Sequence, residues 1–364
     1  MAGLQHDPEQ HPRTSYSDPS HPIQYLDNMA QKYARDQPSG FTNRIERVAI
    51  VGVGGTVGKY ITQELLKTGQ HTITALTRAD SQSTLPAGVR TATVDYQDES
   101  TLVAALQDQQ FLIITLNVSA PKDTQSKLIQ AAAKAGVPYV MPNCYGCDIT
   151  NEKLRKEMLV GEPVRQACAE IEATGVSTWV ALVCGFWYEF SLSTGPEWFG
   201  FDFQQKKLTF YDEGTVRINV STWEQCGRAV AAFLKFKELP EDENDTSPTV
   251  RGWANRPLFI SSFLVSQRDM FESWKRITGD KEEDWTIEYE PTAVRYQRGI
   301  ERMQKGDRYG FAQAMYARVF YPNGGGDYES SRGLDNDVLG LPQEDLDERT
   351  KHAKEMIEAG YSYF

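Results

Sequence analysis

Seven residues from Gly52 to Gly58, four of them glycine, could bind phosphate groups. They follow a short apolar run, VAIVGV (48–53), which is typical of a buried parallel strand, and they open a helical pattern. A helix N-terminus offers N–H groups and positive potential to an anion. The pattern predicts a dinucleotide site, although a glycine-rich turn kept only for its shape would have the same sequence.

Three glycines of this turn have an expected role. Gly52 permits a tight turn, Gly55 lets the backbone approach a pyrophosphate, and Gly58 permits close packing of helix against strand. We therefore expect the cofactor to contact five residues of the turn, which are Gly52, Gly55, Thr56, Val57 and Gly58.

Two cations beside the turn bear on which cofactor binds. Arg78 ends the second predicted strand, where NAD-selective proteins usually carry an acid for the ribose hydroxyls, and Lys59 follows the last glycine. Both suit a ribose 2′-phosphate, so the pattern favours NADPH over NADH, although two solvated cations would have the same sequence. Asp95, at the end of the third strand, could face the adenine or cap the helix that starts at Asp98.

Few residues could carry proton chemistry. No Tyr-x-x-x-Lys occurs, and all five histidines lie outside the predicted strand ends. Tyr145, after a strand end, could donate to a substrate carbonyl or pack as a wall. Lys156 could reach inward or remain a solvated helix cation. Cys144 and Cys147 lack a second pair or a nearby histidine, so we predict no metal site.

The elements that must position these residues alternate as strand, helix and strand from Arg47 onward. This alternation predicts an α/β fold, a Rossmann-like doubly wound parallel sheet, with ligands bound at the carboxyl ends of the strands. We interpret residues 1–45 as a partly disordered tail with a short helix at 25–33. Residues 46–190 form the predicted NAD(P)-binding domain.

Beyond residue 190 the pattern changes, and residues 191–364 are predicted to form a smaller α+β substrate lobe interleaved with the first domain. VSTWVALVCGFWYE (176–189) is predicted as one strand, and KLTFYDEGTVRINVST as a hairpin that turns near Asp212 to Gly214. The aromatic run Phe186-Trp187-Tyr188, with Tyr145, could line a cavity for a flat organic ligand, or pack between the lobes.

Composition excludes several classes of protein. The net charge is −12 with no basic block, which argues against a nucleic-acid partner. No apolar run approaches the roughly 18 to 20 residues of a membrane span, and the N-terminus lacks a secretory signal. Five cysteines without a regular framework predict reduced thiols and a cytoplasmic location. The expected partner is a small-molecule substrate, and a homodimer is left open.

The sequence resembles the NmrA-like, isoflavone reductase-like family of atypical short-chain dehydrogenases. The resemblance covers about residues 47 to 280 and rests on VAIVGVGGTVGKYITQELLKTG, TALTR, VDYQDESTLVAAL, FLIITLN, AAAKAGVPYVMPNCYG and KLTFYDEGTVRINVSTWEQCGRAVAAFL. The ending, FYPNGGGDYESSRGLDNDVLGLPQEDLDERTK, resembles the fungal CipA-type branch. The resemblance implies a Rossmann-like domain, NADPH and an adjacent lobe for aromatic or other secondary metabolites.

The resemblance also implies site residues. The family's strand-end motif, Pro-Ser-Glu-Phe-Gly, reads here as 142–146, PNCYG, which places the nicotinamide beside Asn117, Pro142, Asn143 and Cys144. In the reductases a catalytic lysine lies three residues before a Val-Arg pair, and that position here is Gly161. We therefore predict an NADPH-dependent oxidoreductase, with a non-catalytic NAD(P)-sensing protein or a redox-neutral cyclase or dehydratase as alternatives.

Overall fold

A computed structural model describes residues 33–81 and 84–361 of the chain. Most of the predicted tail, and all but the last residue of the helix predicted at 25–33, lie outside the described residues. Residues 33–45 contact the body of the molecule: the Ala34 N–H donates to the Pro240 carbonyl, the Asn43 amide donates to the Leu239 carbonyl, and Ile45 is buried.

The described residues contain fourteen strands and twelve α-helices. The strands are β1 (Arg47–Val51), β2 (Thr72–Arg78), β3 (Arg90–Val94), β4 (Phe111–Ile114), β5 (Tyr139–Met141), β6 (Tyr145–Gly146), β7 (Thr178–Val183), β8 (Phe186–Trp187), β9 (Phe201–Asp202), β10 (Lys207–Tyr211), β11 (Ile218–Ser221), β12 (Arg256–Phe259), β13 (Phe263–Val265) and β14 (Thr286–Glu290). The helices are α1 (Thr56–Thr68), α2 (Glu99–Leu106), α3 (Thr124–Lys134), α4 (Glu152–Glu157), α5 (Gly161–Ala173), α6 (Tyr188–Ser193), α7 (Trp223–Leu234), α8 (Gln267–Thr278), α9 (Thr292–Gln304), α10 (Tyr309–Val319), α11 (Tyr328–Arg332) and α12 (Leu346–Glu358).

A parallel sheet of seven strands, in the order β12-β7-β5-β4-β1-β2-β3, forms the first layer, and β6 adds to β7. Alternate side chains of β1 face opposite sides of this sheet. Val48 and Ile50 pack against α1 and α7, whereas Ala49 and Val51 pack against α2, α3 and α5. Because both faces are covered by helices, the central strands are apolar throughout. The fold class is confirmed: this is a Rossmann-like doubly wound sheet with a further smaller lobe.

The second lobe contains two small sheets, β14-β10-β9 and β13-β11-β8, around an aromatic-rich core. The predicted hairpin is wrong. The chain does turn at Asp212 and Gly214, whose φ angles are 51° and 67°. However, β10 pairs with β14 and β9, whereas β11 pairs with β13 and β8. Six residues separate the two strands, which is too many for a tight hairpin, so the chain crosses from one sheet to the other.

The long strand predicted at 176–189 is also divided. It breaks at Gly185, whose φ is 64°, and a side chain there would run into the Asn219 backbone. β7 therefore stays in the central sheet, whereas β8 pairs with β11 and Tyr188 begins α6. In the same way β12 joins the central sheet and β13 joins the second lobe. Chain from beyond residue 190 thus completes the Rossmann-like unit.

None of the helices between residues 33 and 361 combines the length and the apolar character that a bilayer span requires.

Candidate functional site

The glycine turn joins the end of β1 to the start of α1. Gly52 has a φ of 84°, and the Gly55 N–H donates to the Gly52 carbonyl at 2.8 Å. A Cβ on Gly52 or Gly58 would meet the Thr115 hydroxyl, at 2.5 Å and 2.6 Å. That hydroxyl donates to the Val51 and Gly52 carbonyls at 2.7 Å and 3.1 Å. Two of the glycines are therefore required by the close approach of the segment after β4.

Gly55 differs from the other two glycines because the space over its Cα is open. A Cβ there would meet only the Gly52 carbonyl oxygen, at 3.1 Å. Gly55 is the N-cap of α1, no side chain caps this end, and the first turn has no acidic residue. Gly55 and Thr56 are exposed, while the Val57 side chain is buried in the core, so Val57 can offer only its N–H. An uncapped, exposed N-terminus of this kind suits an anion.

The predicted cations lie near this turn and are exposed. Arg78 ends β2 with its side chain 64% exposed, and its Nε is 3.2 Å from Asp80 Oδ1. Lys59 Nζ lies 5.6 Å from the centre of the Tyr60 ring. Burial raises the pKa of Tyr96, and the positive charge of Arg78 opposes that rise, so these side chains are neighbours. Tyr96 was not singled out from the sequence.

Asp95 does not cap the helix after β3. The cap of α2 is Asp98, whose carboxylate accepts the Ser100 N–H at 3.0 Å. Asp95 Oδ1 instead accepts the Gln97 N–H at 2.8 Å. The exposed carboxylate of Asp95 therefore remains available at the end of β3, where the adenine was expected.

The loops after β4 and β5 are held together by one amide. Asn143 Oδ1 accepts the Leu116 N–H at 3.0 Å, its Nδ2 donates to the Leu116 carbonyl at 3.2 Å, and its own N–H donates to Gln125 Oε1 at 2.7 Å. Asn117 follows on the exposed side, where its Oδ1 accepts the Ser119 N–H. Asn117 and Asn143 are thus brought to one edge of the sheet, as expected of strand ends in a doubly wound fold.

Pro142 and Cys144, the other strand-end residues, are buried. Burial raises the pKa of the Cys144 thiol well above its ordinary value, and burial raises that of Cys147 to about 12. Burial thus disfavours the thiolate, the nucleophilic form, at both cysteines. The described part of the chain has no cluster of three or more histidine, cysteine and acidic side chains that could hold a metal ion.

The two predicted proton donors are not brought together. The Tyr145 hydroxyl donates to the Ile114 carbonyl at 3.1 Å, and burial raises its pKa well above the ordinary value. Lys156 is 61% exposed, and its Nζ pairs with Glu152 Oε1 at 2.5 Å. As placed, Tyr145 stabilises the end of β4 and Lys156 is the solvated helix cation of the alternative interpretation.

Gly161, where the resemblance predicted the position of a lysine, has no room for a side chain. It is buried at the start of α5, and a Cβ there would lie 2.8 Å from Arg155 Cα and 2.9 Å from Arg155 C. Real Cβ atoms do not approach backbone this closely. The backbone of Arg155 in α4 therefore closes this position, a feature that the sequence alone did not reveal.

The predicted aromatic lining divides into core and crevice residues. The Tyr188 hydroxyl bonds to Thr350 Oγ1 at 2.6 Å inside the second lobe, and Tyr188 is fully buried, so it is core. Phe186 stacks on Tyr316 with ring centres 3.8 Å apart. Phe186 also borders a cavity of about 10 Å³, the room of about one water molecule, beside the loop of Gly325. Of the predicted lining residues, Trp187 packs against both hydrophobic cores and so lies at the junction of the two lobes.

An open groove of about 540 Å³ lies in the second lobe, between β9, β10, β14 and α9. Its arginines already have acidic partners: Arg295 and Arg298 pair with Glu290, and Arg302 pairs with Asp307. The groove therefore offers a charged ligand few charged side chains that are not already paired.

Several known proteins resemble this chain. Residues 45–174 match the NmrA-like family. The chain is 29% identical over 307 residues to oxidoreductase aprR from Aspergillus flavus, covering 83% of this chain and 96% of that protein. It is 25% identical over 304 residues to oxidoreductase poxI from Penicillium oxalicum, covering 81% and 89%.

Among solved structures, AtPrR2 with NADP+ and (+)pinoresinol superposes with a TM-score of 0.65 at 16% identity, covering 86% of this chain and 100% of that one. An isoflavone reductase superposes with a TM-score of 0.63 at 18% identity, covering 85% and 99%. These structures share the fold. The CipA-type branch stays a prediction. Residues 45–174 of this chain are thus similar to the NmrA-like family, and the chain as a whole shares the fold of isoflavone reductase-like structures.

Proposed function

We propose that this chain is an NADPH-dependent oxidoreductase that acts on a hydrophobic, aromatic small molecule. The observation that carries the proposal is the uncapped, exposed N-terminus of α1 behind an open Gly55, with Arg78 and Lys59 nearby. Backbone N–H groups there suit the diphosphate, and the two cations suit a ribose 2′-phosphate. The relatives aprR and poxI are named oxidoreductases, and AtPrR2 was solved with NADP+, which supports the same assignment.

The chain's own residues would bind and orient rather than transfer protons. When bound, NADPH supplies a hydride to a substrate carbon. Asn143 fixes the loops after β4 and β5, so that Asn117, Pro142 and Cys144 present ordered backbone at the nicotinamide end. The Asp95 carboxylate would face the adenine end. The half-buried Tyr145 would hold the end of β4 beneath these loops through its hydrogen bond to the Ile114 carbonyl.

A fluorescence titration with NADPH and with NADH tests the proposal. We expect NADPH to bind more tightly than NADH, and Arg78→Ala to weaken NADPH binding by about tenfold to hundredfold, the value of a charge-assisted hydrogen bond. The matched control is Arg90→Ala. Arg90 is an exposed arginine at the start of β3, whereas Arg78 lies beside the other end of that strand. Equal affinities of wild type and Arg78→Ala for NADPH would refute the 2′-phosphate site, and no binding of either nucleotide would refute the cofactor assignment.

A non-catalytic nucleotide sensor is the second candidate, and the closed position at Gly161 favours it. A sensor would bind NADPH without oxidising it and would capture a protein partner only in the presence of nucleotide. Steady oxidation of NADPH with a panel of aromatic carbonyl and enone compounds would decide for the enzyme. Turnover of none of them, with NADPH still bound, would decide for the sensor.

A further inference from the structure

Six buried side-chain atoms without a hydrogen-bond partner among the described residues lie on two short stretches, 187–189 and 221–224. They are Trp187 Nε1, Glu189 Oε1 and Oε2, Ser221 Oγ, Trp223 Nε1 and Glu224 Oε2. The two stretches are adjacent because β8 pairs with β11 and sets Ser221 opposite Trp187. Folded proteins leave few such atoms, so a concentration of donors and acceptors in one place indicates a partner from outside the chain.

Five aromatic rings surround this place, and we call them the aromatic box: Tyr60, Trp187, Phe190, Trp223 and Tyr361. Trp223 contacts Tyr60, Trp187 and Phe190, with ring centres 5.8 to 6.2 Å apart. Phe190 lies 5.9 Å from Trp187. Tyr361 completes the box at 6.4 Å from Phe190 and 6.5 Å from Trp223. Tyr60 and Trp223 are stacked, and the other pairs are tilted or edge-to-face. Aromatic rings stack with flat groups, and their faces attract cations.

The box lies beside the proposed cofactor site. Tyr60 belongs to the first turns of α1 and directly follows Lys59, close to the exposed helix N-terminus at Thr56. Trp187 follows the carboxyl end of β7, where ligands of doubly wound sheets bind. A molecule held in the box would therefore lie at the mouth of the same crevice as the dinucleotide.

The charges at the box leave a carboxylate short of a partner. One guanidinium, Arg349, serves three acids: it is 3.6 Å from Glu189, 3.6 Å from Glu224 and 2.8 Å from Glu344. Arg228 pairs with Glu344 as well, at 2.8 Å. Three carboxylates thus share two guanidiniums. Glu189 is 1% exposed and accepts no hydrogen bond from any residue the structure describes.

Among the residues that the structure describes, one other cation, His352, approaches Glu189. His352 Nδ1 lies 3.9 Å from Glu189 Oε1, which is too far for a hydrogen bond, and Glu189 raises the pKa of this histidine. Burial in turn raises the pKa of Glu189. A carboxyl held in this way gains most from a donor that carries its own positive charge.

We infer that the aromatic box binds a planar aromatic molecule that carries a protonated amine. The ammonium group donates to Glu189 and Glu224, and the four rings of the box other than Tyr361 stack on the ligand. The indole N–H groups of Trp187 and Trp223 can donate to an oxygen of the same molecule. The inference rests on the proposed function in one respect only, namely that this molecule is the substrate. Tyr361 fills part of the box, so the ligand enters by displacing its ring.

Isothermal titration calorimetry on the full chain, with and without saturating NADPH, tests the inference. The probes are 2-naphthylmethylamine, 2-naphthylmethanol and 2-naphthoate, which share one ring system and differ in charge. We expect the amine to bind at least about tenfold more tightly than the alcohol or the acid, as loss of a charged hydrogen bond implies. Glu189→Gln should remove this preference and leave alcohol binding within twofold. Glu283→Gln, a change at an exposed acid far from the box in sequence, is the control.

Glu224→Gln supplies a second variant should Glu189→Gln fail to fold, since Glu224 is one quarter exposed. Tyr361→Ala should tighten amine binding by opening the box. Equal binding of amine and alcohol by the wild type, no probe binding, or weaker amine binding by Tyr361→Ala would overturn the inference. NADPH binding without amine preference would sink the inference alone, whereas amine preference without NADPH binding would sink the proposed function alone.

Discussion

The hydroxyl of Thr115 lies directly against Gly52, with its proton shared between the carbonyls of Val51 and Gly52 at 2.7 Å and 3.1 Å. This contact ties the residue after β4 to the turn after β1. It also leaves no room for a Cβ at Gly52, and the same hydroxyl would meet a Cβ at Gly58. The glycine turn therefore has two separate requirements: Gly52 and Gly58 fit against Thr115, and Gly55 is open to the crevice.

Gly58→Ala should destabilise the fold. The added Cβ would run into the Gly52 carbonyl and the Thr115 hydroxyl, both fixed in the core of the turn. Overpacking of this kind costs about 1–3 kcal/mol. Urea unfolding of the variant beside wild type measures the loss. The control is Gly55→Ala, for which we expect a much smaller change, and equal losses in the two variants would contradict this division of roles.

Gly55→Ala should impair cofactor binding instead. Its φ of −76° suits any residue, and the new Cβ would meet only the Gly52 carbonyl oxygen at 3.1 Å. The methyl group would occupy the open space where a diphosphate must approach the N–H groups of α1. We expect NADPH affinity to fall about tenfold or more, the value of about one charge-assisted hydrogen bond. Unchanged affinity in the same fluorescence titration would place the diphosphate elsewhere.

Local sequence patterns predicted the first half of the fold because successive βαβ units determine the order in which its strands pair. The glycine spacing, the apolar runs and the αL residue Gly69, which ends α1, all act within one βαβ unit. The strand order of the second lobe follows no such rule. β10 pairs with β14, which comes about eighty residues later, and nothing in KLTFY encodes that partner. A hairpin was the simplest interpretation of the local sequence, but in the structure β10 instead pairs with a strand that is distant in the chain.

The same limit applies to the site. The function of a glycine in a turn, or of a cation at a strand end, follows from its residue type. Gly55 and Arg78 could therefore be proposed from the sequence. Thr115, Trp223 and Glu189 depend on contacts between distant segments, and no spacing marks them. Gly161 shows the converse. The sequence predicted that Gly161 stands where related reductases carry a lysine, and the backbone of Arg155 explains why no side chain fits there.

Glu238 should make stability depend on pH. Burial raises its pKa from 4.5 to about 7, although Tyr139 and Arg251 oppose this rise. Between these values the folded state holds a proton that the unfolded chain releases, so the free energy of unfolding falls as pH rises from about 4.5 to 7. After allowance for solvent screening we expect about 1–2 kcal/mol. Urea unfolding of Glu238→Gln should show stabilisation over wild type at pH 8 and little difference at pH 5. The reverse order would disprove the assignment.

Gly161→Lys should fail to restore the chemistry of the lysine-containing reductases. The new side chain would begin in the backbone of Arg155, so α5 must shift from α4 and disturb the ion pair of Arg155 with Glu162, now 2.8 Å. We expect a loss of at least about 1–3 kcal/mol in urea unfolding, with no gain in NADPH oxidation.

Ala at position 161 separates the two effects. Gly161→Ala meets the same backbone without adding a charge, so it should be destabilised to a similar degree. If Gly161→Lys folds as stably as wild type and oxidises NADPH faster with the aromatic panel, the backbone of α4 and α5 can move to accommodate a side chain at position 161. The missing lysine would then be a simple substitution, and the sensor would lose the observation that favours it.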